Sequence, residues 1–385
     1  MRVLIDYRPA LRNRTGVGEF VHHLVTELAT ADLNSNVVAE PLEITAFCAS
    51  WKDRLADAPA PKLPPRVHTV DRRIPVALLN LAWHRANWPP VETLTGGIYD
   101  VVHSPHPLLL PTRSAAQVIT IHDLDFLDHT DRTTKEVLRD YPTLVRRHAR
   151  RADHIVVPSR YTAGEVERRL GVPADAISLC WNGAPSWSPR DHIPHPGHLL
   201  FVGTVSPRKN VVGLLDAYQQ LVTDQPNSPD LVLVGVNPPD APWRDRVTRP
   251  PLLGRVRCTG YVDRQILRTL YADARVLVAP SFDEGFGLPV LEAMTIGVPV
   301  VASNRGALPE VLGDAGLLVD PTDSLALASA IGRMLNDEGL AKASAARGVE
   351  RARSFSWRTS AQALQHAYRK AVEARASTLT TDATV

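Results

Sequence analysis

Glu284 and Glu292 stand eight residues apart in the run SFDEGFGLPVLEAMTIGVP at 281–299. Gly285, Phe286 and Gly287 follow the first glutamate, and Leu288 opens a helical pattern. Two glycines at a helix start let backbone approach a ligand and turn N–H groups toward it, which suits phosphate oxygens. No Walker lysine accompanies them. A carboxylate beside such a loop suits a sugar or ribose, because it accepts hydrogens from two vicinal hydroxyls. Taken singly, the two glutamates also read as a capping acid and an exposed helix acid.

A second constellation is FVGTVSPRKN at 201–210. Gly203 follows a strand-like run, and Arg208 and Lys209 stand just before a helical one. The helix dipole disfavours cations at that end unless an anion is present. Two basic groups there can hold a diphosphate and stabilise it as a leaving group. The plainer reading is a solvated basic pair.

Histidines form a third group. His122, followed by Asp123, closes the run VITIHDL, and a polar residue just past a buried strand is well placed to face a ligand. The alternative is an ordinary polar strand end. His103 and His106 end the preceding run in the same way. Gly16 and Gly18, in RNRTGVGEF, resemble a dinucleotide loop only superficially: they lie well beyond the first strand, and Val21 stands at the third glycine position. No tight His/Asp/Cys set marks a metal site. Asp123-Leu124-Asp125 is a DxD by letters only.

Composition excludes several classes. The chain has 385 residues, 44% apolar, and a formal charge of +2 from 43 basic and 41 acidic side chains. A dedicated nucleic-acid binder normally shows a plain basic excess. Cys48, Cys180 and Cys258 are odd in number and far apart, and read as buried free thiols. Met1–Asp6 begins directly with a strand-like run and lacks a signal-peptide pattern, so a cytoplasmic protein is expected. No apolar stretch is long enough to cross a bilayer.

The elements that must position these residues alternate regularly. Buried parallel strands are expected at Arg2–Asp6, Glu43–Cys48, Asp100–His103, Gln117–His122 and His154–Pro158, and again at His198–Val202, Asp230–Gly235, Val256–Thr259, Ala274–Ala279 and Val298–Ala302. Helices are expected at Glu19–Ala29, Lys135–Ala152 (with Val137, Leu138, Tyr141 and Leu144 inward), Val211–Val222, Gln265–Ala272, Leu288–Ile296, Ser324–Leu335 and Leu340–Ser354. The segment WNGAPSWSPRDHIPHP at 181–196 breaks the rhythm and marks a domain junction. The fold class is α/β, with two Rossmann-like doubly wound domains facing a central cleft. The expected domains are 1–187 and 196–358, with a final helix at 359–376 returning toward the first. The polar tail Ser377–Val385 is expected to be disordered.

With these motifs in place, the chain resembles the retaining glycosyltransferases of family 4 (glycosyl transferases group 1). That family includes sucrose synthases, phosphatidylinositol mannosyltransferases and many bacterial polysaccharide transferases. Its E-x7-E signature fits Glu284 and Glu292, and the likeness extends over Leu199–Asn210 and Val278–Pro321. The resemblance implies the GT-B fold, Glu284 beside the donor sugar, Glu292 on the nucleotide ribose, Arg208 and Lys209 on the diphosphate, and His122 beside the sugar. It also implies Gly16, Gly18, Gly203, Gly285, Phe286, Gly287 and Leu288 in the donor site. Many members carry an arginine where this chain has Thr204.

The implied reaction is transfer of a hexose, mannose first, from a nucleoside diphosphate sugar to an acceptor hydroxyl. The donor is GDP-mannose or a UDP-sugar, with no further cofactor and no divalent metal required. The acceptor is a glycan, a lipid-linked molecule or a small molecule. A sugar-nucleotide epimerase, a phosphorylase and a non-catalytic nucleotide- or carbohydrate-binding protein share the fold and stay open as alternatives. Peripheral contact with a membrane's inner face is suggested by Arg66–Trp88, which mixes basic and aromatic residues between prolines, and by Arg146, Arg147, Arg150 and Arg151 on one helix. A packed acceptor-side helix and a solvated basic face are the alternatives.

Overall fold

The computed structural model describes residues 1–11, 16–30, 42–58, 62–128, 141–236, 241 and 243–382. They form two compact units, Met1–Gly183 with Ser356–Val385, and Ala184–Phe355.

The first unit holds strands β1 (Arg2–Asp6), β2 (Glu43–Ala49), β3 (His68–Arg72), β4 (Val101–Ser104), β5 (Ala116–Thr120), β6 (His154–Val157) and β7 (Ile177–Leu179). Its helices are α1 (Gly16–Thr30), α2 (Val76–Ala86), α3 (Val91–Thr95), α4 (Tyr141–Arg151) and α5 (Arg160–Leu170). The sheet is parallel throughout, in the order β3-β2-β1-β4-β5-β6-β7. Its central strands are apolar on both faces because both are covered. On one face Val3, Ile5 and Val101 meet Phe20 and Leu24 of α1; on the other Leu4, Phe47 and Val102 meet Leu79 and Trp83 of α2.

The second unit holds β8 (His198–Val202), β9 (Leu231–Val234), β10 (Val256–Gly260), β11 (Ala274–Ala279), β12 (Val300–Ser303) and β13 (Leu317–Val319). Its helices are α6 (Val211–Asp224), α7 (Arg244–Val247), α8 (Arg264–Ala272), α9 (Leu288–Ile296), α10 (Leu308–Leu312), α11 (Ser324–Asn336) and α12 (Glu338–Ala352). The sheet is again parallel, in the order β10-β9-β8-β11-β12-β13. Leu214 and Tyr218 of α6 and Ile331 and Met334 of α11 bury one face.

The last helix, α13 (Trp357–Asp382), packs on the first unit through Leu364, Ala367, Tyr368 and Ala371, all fully buried. Burying a side chain such as Leu364 contributes about 2 kcal/mol.

Several expectations are corrected. The helix α13 runs on to Asp382, where a disordered tail was expected from Ser377. The hydroxyls of Ser377 and Thr378 donate to the carbonyls of Glu373 and Ala374, so they stay within the helical pattern. Residues 383–385 lie outside the described residues, as do 129–140, which include the expected start of the helix at Lys135 and its Val137 and Leu138. The inner face of α4 is centred on Val145, His148 and Ala149, and Tyr141 and Leu144, partly buried, pack against the same core as expected. Cys258 is exposed, because β10 is an edge strand, while Cys48 and Cys180 are buried; all three are free thiols. The strands β3, β7 and β13 escape sequence reading because each is a short, half-exposed edge strand.

Candidate functional site

Each sheet reverses its winding once, between β1 and β4 in the first unit and between β8 and β11 in the second. Ligands in open α/β sheets gather beyond the strand carboxyl ends at that point. The residues that follow β8 and β11 are those nominated by the motifs.

Beyond β11 the chain turns through Ser281 and Glu284 into α9. Beyond β8 it passes Gly203 and reaches Arg208 and Lys209, one residue before the helix cap Asn210. The two loops are tied by the Phe282 N–H donating to the Arg208 carbonyl at 2.8 Å. Arg208 Nη1 then lies 3.0 Å from Glu284 Oε2, and Lys209 Nζ donates to Glu284 Oε1. Ser281 Oγ donates to the same Oε1 at 2.7 Å. Arg208 Nη1 also reaches the Asp283 carbonyl at 2.7 Å.

This cluster is mostly withdrawn from water: the side chains of Arg208, Lys209 and Glu284 are 20%, 12% and 11% exposed. Burial alone would raise the Glu284 carboxyl. The charges of Lys209 and Arg208 outweigh it and hold the group down at about 2. Glu284 therefore stays ionised, and three groups carry one negative charge against two positive ones. An anion would complete the balance.

A third loop closes on Glu284. Ala307 N–H donates to the Glu284 carbonyl at 2.8 Å. Gly306, at φ +61°, permits this approach: a Cβ there would stand 2.6 Å from the Glu284 nitrogen. Gly285, Phe286 and Gly287 are buried around the turn, and Phe286 meets Phe355 edge-on at 5.8 Å between centroids. Gly287 precedes Leu288, the first residue of α9. Gly203 N–H donates to the Val234 carbonyl, and its α-carbon faces the Lys209 stem.

Glu292, on α9, has different partners. Arg264 Nη1 donates to its Oε1 at 2.8 Å, and Tyr271 Oη donates to its Oε2 at 2.9 Å. The Arg264 guanidinium lies over the Trp187 ring at 4.9 Å. The two glutamates of the motif thus anchor two differently built neighbourhoods.

In the first unit, His122 lies two residues past the end of β5; the strand ends at Thr120 instead of reaching the histidine. Its ring meets Phe20 of α1 edge-on at 4.9 Å and bonds to the Pro105 carbonyl. Its Nε2 is buried with no hydrogen-bond partner among the described residues. Burial, then the nearby His106, pushes it down to about 3. A neutral imidazole bonded through its other nitrogen offers Nε2 as an acceptor for a hydroxyl, and is a poor proton acceptor for catalysis.

Gly16 and Gly18, implied in the donor site, belong to a helix. They open α1 itself. Gly18 is a packing glycine, since a Cβ there would stand 2.7 Å from the Pro9 carbonyl oxygen. The preceding residues, 12–15, lie outside the described residues. His103 is committed to structure, bonded to Tyr368 Oη and Thr120 Oγ1, both at 2.8 Å.

Other candidate residues, in each unit, escape sequence reading. Arg264 opens α8 behind the N-cap Asp263, and the dipole reasoning applied to Arg208 and Lys209 would have nominated it. Asp6 ends β1 fully buried, gripped by Arg8 through two nitrogens at 2.8 and 2.6 Å, while Arg8 also donates to Asn80 of α2 at 3.0 Å. Burial would raise Asp6, but Arg8 lowers it further. The position past a strand end, used for His122, was the available signal. Ser281 and Gly306 carry none.

Residues 14–186 match the family described as Glycosyltransferase Family 4, and residues 196–337 that described as Glycosyl transferases group 1. The chain is 36% identical over 285 residues to the O-antigen chain mannosyltransferase B of Escherichia coli, spanning 70% of this chain and 74% of that one. It resembles the structure of sucrose-phosphate synthase from Thermosynechococcus elongatus with a TM-score of 0.75 at 23% identity, over 96% of this chain and 98% of that one. Anabaena HepE in complex with UDP-glucose gives a TM-score of 0.64 at 18% identity, over 99% and 100% of the two chains. Both structural likenesses show the fold.

Proposed function

The chain belongs to glycosyltransferase family 4, with the GT-B fold, and from that premise we propose that it transfers a hexose, mannose first, from a nucleoside diphosphate sugar to an acceptor hydroxyl with retention of configuration. The observation that carries this reading is the Glu284 carboxylate held by Arg208 and Lys209 at the switch point of the second sheet. Mannose is favoured by the likeness to a mannosyltransferase at 36% identity. GDP-mannose is the first donor and a UDP-hexose the second.

In this reading Arg208 and Lys209 take the diphosphate and neutralise it as it leaves, so no divalent metal is required. Glu284 shifts from holding the cations to orienting the sugar. Glu292 accepts the ribose hydroxyls, and His122 accepts a hydrogen bond from sugar or acceptor through Nε2. Glu284 and Glu292 have separate partner sets, which favours front-face transfer over a double displacement between two carboxylates. The leaving diphosphate helps take the acceptor proton as positive charge develops on the sugar. The acceptor is a glycan, a lipid-linked molecule or a small molecule, met with peripheral contact to a membrane.

A thermal-shift screen with GDP-mannose, UDP-glucose and ADP-glucose, followed by product analysis, tests it. A shift with one base and an α-linked product from an α-linked donor is expected. A shift without turnover would mark a binding protein, and an inverted product would overturn retention.

A further inference from the structure

Helix α2 carries large apolar side chains on two opposite faces. Leu79 and Trp83 point into the core, 3% and 2% exposed. Leu78 and Leu81 point outward, 62% and 57% exposed, and Trp88, just past the helix, is 64% exposed. At about 100° per residue, Leu78, Leu81 and Arg85 fall on one stripe. Trp51, also exposed, stands at the end of β2 under the guanidinium of Arg73, 5.6 Å from its ring. Scattered exposed apolar residues are ordinary, but a contiguous group framed by charge marks a contact surface.

The charge is of one sign. From Arg72 to Val91 the chain has Arg72, Arg73 and Arg85 and no acid. Helix α4 lies beside α2, with the rings of His84 and His148 at 6.3 Å. It carries Arg146, Arg147, Arg150 and Arg151, all exposed, and again no acid. Arginines can lay their stems along apolar surface while their heads meet phosphates. Among the described residues no helix is long and apolar enough to cross a membrane, so this surface suits lying on one.

We propose that α2, with the basic face of α4 beside it, docks this protein on an anionic lipid bilayer, with Leu78, Leu81 and Trp88 entering the headgroup boundary and the arginines meeting lipid phosphates. The docking has a consequence that rests on the transferase reading above. Asn80, on the same helix, accepts from Arg8, which grips Asp6 at the end of β1. A lipid-linked acceptor is thereby presented at the carboxyl edge of the first sheet.

The test is co-sedimentation of the full chain with vesicles of phosphatidylcholine alone or mixed with phosphatidylglycerol. Binding to the mixed vesicles, weakening with salt, is expected. Leu78→Asp with Leu81→Asp should lower the partition at least about tenfold. Arg147→Gln with Arg151→Gln should lower it roughly fivefold per charge and guards against misfolding of the first variant. Circular dichroism and melting report the fold, and donor hydrolysis or transfer to a soluble acceptor should stay at the wild-type rate in both variants. Loss of vesicle binding with that rate retained supports docking; absence of turnover in the wild type sinks the transferase reading instead. Equal binding to neutral vesicles, or unchanged binding by both variants, overturns the proposal. So does a concentration-dependent dimer that disperses on Leu78→Asp with Leu81→Asp while no vesicle is bound, which would make the surface a contact between copies.

Discussion

The Arg208 guanidinium sits 3.0 Å from the Glu284 carboxylate across 76 positions of chain. With Lys209 on the other oxygen, it turns the start of the E-x7-E element into one corner of a charged cluster. The consequences reach stability as well as transfer.

Replacing Glu284 should be costly in two ways. Glu284→Gln leaves two largely buried cations without their carboxylate, which destabilises by about 3 kcal/mol. Transfer should fall about a hundredfold if Glu284 orients the sugar as proposed. A nucleoside diphosphate should raise the melting temperature of this variant more than that of the wild type, since its phosphates replace the lost charge. Near wild-type transfer would remove Glu284 from the donor site.

Arg208→Ala and Lys209→Ala should each lower kcat about a hundredfold if both stabilise the leaving diphosphate. Their effects on stability should not add, because they share Glu284 as a partner. A double-mutant cycle on melting and on turnover measures both, and additive stability losses would argue against the shared clamp.

Tyr271→Phe deletes the hydroxyl that donates to Glu292 at 2.9 Å. A hydrogen bond to a charged group is worth about 2 kcal/mol. The variant should unfold earlier, and its donor KM should rise with kcat little changed if Glu292 binds the ribose. Unchanged KM would confine this tyrosine to a structural role.

Gly306→Ala places a methyl group 2.6 Å from the Glu284 nitrogen, in a left-handed conformation at φ +61°. The loop must move, at a cost of about 1–3 kcal/mol, and Glu284 moves with it. Loss of turnover should accompany the loss of stability. Wild-type turnover in this variant would show that the third loop does not position the carboxylate.

Acid should destabilise the protein in two regions. Burial lowers His103 and His122 to about 3 from the ordinary 6.5, so the unfolded chain takes up their protons first. Stability falls as pH drops from 6.5 toward 3. Glu284 is held at about 2 against 4.5, so its contribution is complete above pH 4.5 and is lost as pH falls toward 2. Urea unfolding across pH should show a shallower upper region in His122→Asn and a shallower lower one in Glu284→Gln.

Local order was legible in the residues alone. Continuous apolar runs such as Leu231–Val234 and Ala274–Ala279 declared buried parallel strands, because a strand covered on both faces has no polar side to alternate with. The glycines and glutamates of 281–299 announced a ligand-binding turn into a helix, which begins at Leu288. Helix ends were less legible where hydroxyl residues bond back to the preceding turn, as in Ser377 and Thr378. Gly18 packs its α-carbon against the Pro9 carbonyl, a contact that the letters do not show.

Tertiary structure alone decided which of these pieces meet. Periodicity says that β8 and β11 are strands, but not that they are neighbours flanking the reversal of the sheet. That adjacency brings Arg208 to Glu284, and the pairing of β11 with β12 brings Gly306 against the Glu284 backbone. Burial then gives the pairs their strength, for a charge removed from water is governed by the few groups that touch it, and those contacts exist only once the sheet order is set.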